Sequence, residues 1–281
     1  MTTAREMTEY MESLRNEEQR QVLMRFFKTG RGEYGEGDEF LGLKVPQTRE
    51  VARAAKDMPL SEVPLLLQSR WHEVRLCGLL ILVSRFERLA TKRLTTDAAA
   101  VRQRDDIVTL YLQHAEQANN WDLVDLSAPK ILGHWLLLPT LLGPTPPAPF
   151  EKTGAMKVPA LPKREEPVAD LRLDYKRQVL DELAESGNLW RQRMSIVCTW
   201  KTSQQGDGSW CLRYAEKHLH HPHDLMHKAV GWMLRELGKR VSMDLLRAFL
   251  REHVREMPRT TLRYAIEKMT EAERRQWMSR T

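Results

Sequence analysis

Two stretches of the chain place tryptophan beside ionisable groups at helical spacing. In the run 119–126, Asn-Asn-Trp-Asp-Leu-Val-Asp-Leu, Trp121 and Asp125 stand four residues apart and share one face of a helix, while Leu123 and Leu126 point elsewhere. In the run 224–238, Met226, Ala229, Val230, Met233 and Leu237 form an apolar stripe, and Lys228, Trp232 and Arg235 fall on the opposite side. Cations flanking an indole suit nucleic acid: the charges hold phosphates and the ring packs on sugar or base. A carboxylate near phosphates is repelled by them, so Asp125 needs another task, and stabilising a developing positive charge is one. The same patterns also fit a Trp232 packed on a neighbouring helix and an Asp125 that is merely solvated.

A third stretch, 189–193, reads Leu-Trp-Arg-Gln-Arg. Its helical projection puts Trp190 in the core and Arg193 at an exposed tip. Arg193, Lys228 and Arg263 each lie near a helix start, and 35 residues separate each from the next. That period is in the range of stacked helix pairs, so the three cations are expected to form a ladder on one surface. Five histidines crowd 218–227, and His223 and His227 are four apart, yet no carboxylate or cysteine at ligand spacing completes a metal site; loop histidines are expected. The glycine-rich run 30–42 lacks the Gly-Lys-Ser/Thr of a phosphate loop. Nucleophile elbows and zinc-protease helices are absent as motifs, leaving a serine or cysteine hydrolase unsupported.

The elements that must position these residues are helical. Period-3.6 patterns run along most of the chain, among them 71–88, 97–118, 121–138, 190–204 and 224–238. Alternating β-branched runs are missing. Pro129 should end or kink the helix that carries Trp121. The 281 residues, 42% of them hydrophobic, suffice for a sizeable core, and we expect one helical-repeat domain over 1–281 interrupted by a proline-rich loop at 139–167. The net charge of +6 favours a polyanionic partner if it is clustered. Three cysteines without ligand spacing, two of them in apolar runs, read as buried free thiols in a reducing compartment. Apolar stretches fall short of the ~20 residues that span a bilayer, and the first residues lack the apolar core of a secretory signal; a soluble cytoplasmic protein is expected.

Four segments taken in order resemble the AlkD-type DNA alkylation-repair glycosylases: Phe-Leu-Gly-Leu-Lys-Val-Pro at 40–46, Trp-Asp-Leu-Val-Asp at 121–125, Leu-Trp-Arg-Gln-Arg at 189–193, and Lys-Ala-Val-Gly-Trp-Met-Leu-Arg-Glu at 228–236. The similarity runs from about residue 24 to 269. It implies an all-α, HEAT-like helical-repeat solenoid with a basic concave face. It further implies hydrolysis of the N-glycosidic bond of cationic purines, such as 3-methyladenine and 7-methylguanine, in double-stranded DNA, with neither metal nor cofactor. By that resemblance Asp125 is the catalytic carboxylate. Trp121 and Trp232 flank the deoxyribose of the lesion, and Arg193, Lys228 and Arg235 face DNA. Arg263 joins them through the 35-residue spacing. A protein of this kind can act as a monomer. The competing expectation is a helical scaffold that binds DNA or protein without catalysis, because architecture does not fix function.

Overall fold

The computed structural model describes residues 1–143 and 168–280, and most of the proline-rich stretch lies outside the described residues. Those residues form sixteen α-helices with a few 3-10 turns, and the sole β pairing among them is an isolated bridge between Glu39 and Trp71. The helices gather into two compact units. One comprises Met1–Ser127 with Leu138–Asp170, the other Ala128–Leu137 with Leu171–Thr281. The sequence was read as a single domain, and the reading contained nothing to mark this division.

The first unit is built around α5 (His72–Leu89), whose apolar residues from Val74 to Phe86 are buried on all sides. It is packed by α3 (Val45–Ala54), α4 (Val63–Leu67), α6 (Ala98–Gln113) and α7 (Trp121–Ser127). A helix apolar around its whole circumference needs this cover. Helices α1 (Ala4–Ser13) and α2 (Glu17–Phe26) start where the sequence supplies caps: Thr3 and Glu6 form a reciprocal capping box, and Asn16 accepts from the Gln19 amide. The chain then turns through Gly42, with φ +88°, where a Cβ would sit 2.0 Å from the Asn16 carbonyl oxygen; only glycine fits.

The second unit begins with α8 (Leu132–Leu137) and continues with α9 (Leu173–Glu185), α10 (Leu189–Val197), α11 (Trp200–Gln204), α12 (Ser209–Lys217), α13 (Asp224–Arg240), α14 (Met243–His253), α15 (Arg259–Ala265) and α16 (Glu271–Met278). Helix α9 pairs with α10 and α12 with α13, while α13 also packs on α14; α10, α13 and α15 touch in series. This is a helical-repeat arrangement, and α10, α13 and α15 carry the three positions 35 residues apart. Glycines set the closest approaches. A Cβ on Gly231 would lie 2.5 Å from the Thr261 carbonyl oxygen on α15, and one on Gly133 would lie 2.5 Å from the Cys198 carbonyl oxygen.

Two expected long helices are each broken. The helix expected over 121–138 becomes α7 and α8, interrupted around Pro129 as its fixed φ and missing N–H require. The helix expected over 190–204 becomes α10 and α11, interrupted at Cys198 and Thr199, where no proline or glycine stands. All three cysteines are buried and unpaired, as expected. Burial pushes the Cys77 and Cys211 thiols up to about 12, which leaves them inert as nucleophiles.

Candidate active site

Helix α7 carries Trp121 and Asp125 one turn apart, both partly exposed, while Leu123 and Val124 are fully buried beneath them. A seven-residue helix does not hold itself in place, and this one is clamped at its start. The buried Asn120 side chain accepts from the Trp121 amide at 2.9 Å, and its amide group reaches Asp38 at 3.5 Å. Asp122 accepts from His72 Nε2 at 2.9 Å, and His72 Nδ1 donates to Asp38 at 2.7 Å. Asp38 also takes the Arg75 guanidinium, whose other nitrogen holds the Ser69 and Arg70 carbonyls at 2.8 and 2.9 Å. Burial works against a charged His72. The Asp122 and Asp38 carboxylates on either side outweigh it and raise the ring to about 9, so it is an imidazolium donating from both nitrogens at neutral pH. Burial likewise opposes the Asp38 charge, but His72 and Arg75 hold its carboxyl below the usual range. Two anions and two cations thus cancel inside the unit, and each is hydrogen-bonded.

Aromatic packing fixes the indole. The Trp121 ring stacks on Phe27 with centroids 5.4 Å apart and planes at 27°, and Phe26 meets it edge-on at 5.9 Å. Phe27 stacks on Phe40 at 5.1 Å, and Phe40 on the His72 ring at 4.4 Å. Phe40 opens the 40–46 segment. That segment is gripped by the buried Glu73 carboxylate, which accepts from the backbone amides of Leu41, Gly42 and Leu43 at 2.8, 2.8 and 3.0 Å. Two of the four segments singled out in the sequence therefore meet in this unit. One supports the indole from below and the other carries it.

The second unit holds the remaining candidates. On α13 the expected stripe is buried: Met226, Ala229, Val230, Met233 and Leu237 are at most 1% exposed. Trp232 is partly exposed on the other side, between Lys228 and Arg235. Both cations have internal partners. Lys228 pairs with Asp224 at 2.7 Å, and Arg235 pairs with Glu267 of α15. The expectation that Arg193 is an exposed tip is corrected. It is 5% exposed and donates to the Leu225 carbonyl at 2.6 Å, tying α10 to the first turn of α13. Helical projection of α10 alone did not include the neighbour that covers this position. Arg263, by contrast, is exposed on α15.

Of the clustered histidines, His218, His220, His221 and His223 lie in the turn between α12 and α13, as expected, and only His227 is on a helix; several of them also tie the unit together. His218 is buried against the Ser195 hydroxyl at 2.8 Å, and burial, with His221 and Lys217 nearby, lowers it to about 4. His221 meets the Gln192 side chain at 2.9 Å, and His227 meets the His221 carbonyl at 2.5 Å. Among the described residues no group of three or more His, Cys, Asp or Glu is arranged to hold a metal ion. In the glycine-rich run, the Glu33 and Glu36 carboxylates occupy the Gly30 and Gly32 amides at 2.9 and 2.8 Å, so those amides are spent within the loop.

Sequence reasoning missed Asp38, His72, Glu73 and Arg75. The charged and backbone-amide partners that join them to one another and to the 38–43 and 122 positions lie 30 or more residues away, and no local spacing announces them.

Comparison with known proteins bears on the family and the fold. The family model for DNA alkylation repair enzymes matches residues 7–142 and 165–269, passing over the stretch between. No curated protein sequence matches the chain. A solved structure described as a predicted DNA alkylation repair enzyme from Enterococcus faecalis superposes with a TM-score of 0.61 at 13% identity. That superposition covers 92% of this chain and 97% of the other, and at such identity it speaks for the fold alone. With most of its length matched by the family model and its helices arranged in the same fold, the chain belongs to the DNA alkylation repair enzyme family.

Proposed function

We propose that the protein is a DNA glycosylase that hydrolyses the N-glycosidic bond of cationic alkylated purines in double-stranded DNA. The observation that carries this reading is the clamped α7. A short helix displays a partly exposed indole and, one turn on, a partly exposed carboxylate, and a buried network of four charges fixes its start. Alkylation at N3 or N7 makes the purine a cation and a good leaving group. As the bond to C1′ breaks, its electron pair leaves with the base and positive charge moves to the sugar. Asp125 stabilises that charge and orients the water that adds to C1′; the products are the free base and an abasic sugar. Trp121 supplies a cation–π contact worth ~1–2 kcal/mol. One placed charge in a partly desolvated site contributes about 3–4 kcal/mol, a hundred- to thousandfold in rate. Such an acceleration serves a labile cationic base and is insufficient for a neutral one.

The test is release of 7-methylguanine or 3-methyladenine from methylated duplex by wild type and Asp125→Asn. The variant should retain DNA binding and lose base release by a factor of roughly 100 to 1,000. Undiminished release by the variant would remove Asp125 from the chemistry. Binding without any release by wild type would leave a non-catalytic scaffold.

A further inference from the structure

Four cations of the second unit were expected to hold DNA, and the structure ranks them unequally. Arg193 is buried on a carbonyl, and Lys228 and Arg235 are committed to acids. Beyond them, α15 and α16 enclose an open cleft of about 500 Å³, lined by Arg263, Tyr264, Ile266, Arg274, Arg275 and Met278 together with the acids Glu267 and Glu271. The two acids are already held. Glu267 pairs with Arg235 and Lys268, and Glu271 with Arg275. Arg263 and Arg274 are exposed and have no ion pair among the described residues. Tyr264, which also lines the cleft, leaves 37% of its surface to solvent.

We infer that this cleft is a phosphodiester clamp for the duplex flanking the lesion, with Arg263 and Arg274 as its cations and the Tyr264 ring as its apolar wall. The inference rests on DNA being the substrate, as proposed above, and adds where the undamaged backbone is held. A polyanion is the occupant that charge complementarity selects, because the cleft acids are neutralised within the protein and two guanidiniums are left over. Arginine forks match phosphate oxygens bidentately, and an aromatic face accepts deoxyribose.

The test uses the full chain and an unmodified fluorescein-labelled duplex, with affinity read by anisotropy across a salt series. Arg263→Gln and Arg274→Gln should each weaken binding at low salt and lower the slope of log affinity against log salt by about one ion. Arg251→Gln, an exposed arginine on α14 outside the cleft, should leave the slope unchanged. Unaltered slopes for both cleft variants overturn the clamp, as does an equal loss with Arg251→Gln, which would reveal only net charge. The duplex carries no lesion, so base release does not enter the readout. A chain that binds and responds in this way but releases no base keeps the clamp and loses the glycosylase. A chain that releases base with unchanged slopes does the reverse.

Discussion

Glu73 shows how much a single buried residue can hold. Its carboxylate is 2% exposed, and three consecutive amides of the 41–43 turn point into it. A glutamine there would offer one oxygen and turn an NH2 group toward an N–H donor. Glu73→Gln should therefore cost about 2–4 kcal/mol, read as a fall in Tm, since charge-assisted hydrogen bonds are lost and a buried donor is orphaned. His72 makes a pH-dependent contribution. Its ring is raised from 6.5 to about 9 on folding, so the stabilisation is complete below pH ~6.5 and disappears as pH climbs through 9. The full effect is roughly 3 kcal/mol. Wild type should lose Tm between pH 6.5 and 9.5 more steeply than His72→Gln. A parallel decline of the two would show that His72 is not the titrating group. The pairing of Trp121 with Asp125 was legible because both lie within one turn of one helix. The network that positions them was not, because Asp38, His72 and Asp122 are 34 and 50 residues apart and long-range pairing has no period.

At the scale of elements, caps and apolar periodicity located the helices well. Helix α5, expected over 71–88, spans His72–Leu89, and α13, expected over 224–238, spans Asp224–Arg240. The break at Pro129 was readable from one residue type. The break at Cys198 was not, since no proline or glycine marks it; there Gly133 of α8 approaches the Cys198 carbonyl and the Lys201 side chain at distances that exclude a methyl group. Such contacts make glycine the determinant of helix spacing in the second unit. Gly231→Ala would force a Cβ to 2.5 Å from both the Thr261 carbonyl oxygen and the Tyr264 Cβ. We expect it to destabilise the protein by ~1–3 kcal/mol despite the gain in helix propensity, and to disturb the α15 cleft with it. Thermal melts, with the anisotropy assay above, measure both effects.

For the whole molecule, the sequence conveyed the class of architecture, but not that the chain divides into two units; the interruption expected at 139–167 falls mostly outside the described residues. The ends of that interruption are pinned together. Thr140 donates its amide to the Asp170 carbonyl at 3.1 Å, the buried Asp105 accepts from the Thr140 hydroxyl and the Leu141 amide at 2.6 Å each, and Val101, Leu141 and Val168 close a small apolar cluster beside them. The family model resumes at 165 after stopping at 142. Replacing 145–166 by four glycines should therefore leave Tm within a few degrees, because loop closure changes by only ~0.6 kcal/mol per doubling of length. A collapse in Tm would show that the excised residues belong to the core.

Helix α8 lies in sequence between two stretches of the first unit, yet its partners in the second are made much later. During synthesis at ~5–20 residues per second, Gly133 leaves the ribosome seconds before the Cys198 carbonyl it must face. For that interval Leu132, Trp135 and Leu136, buried in the finished protein, lack the second-unit neighbours made after them. A fragment starting at residue 171 would be born without the helix altogether.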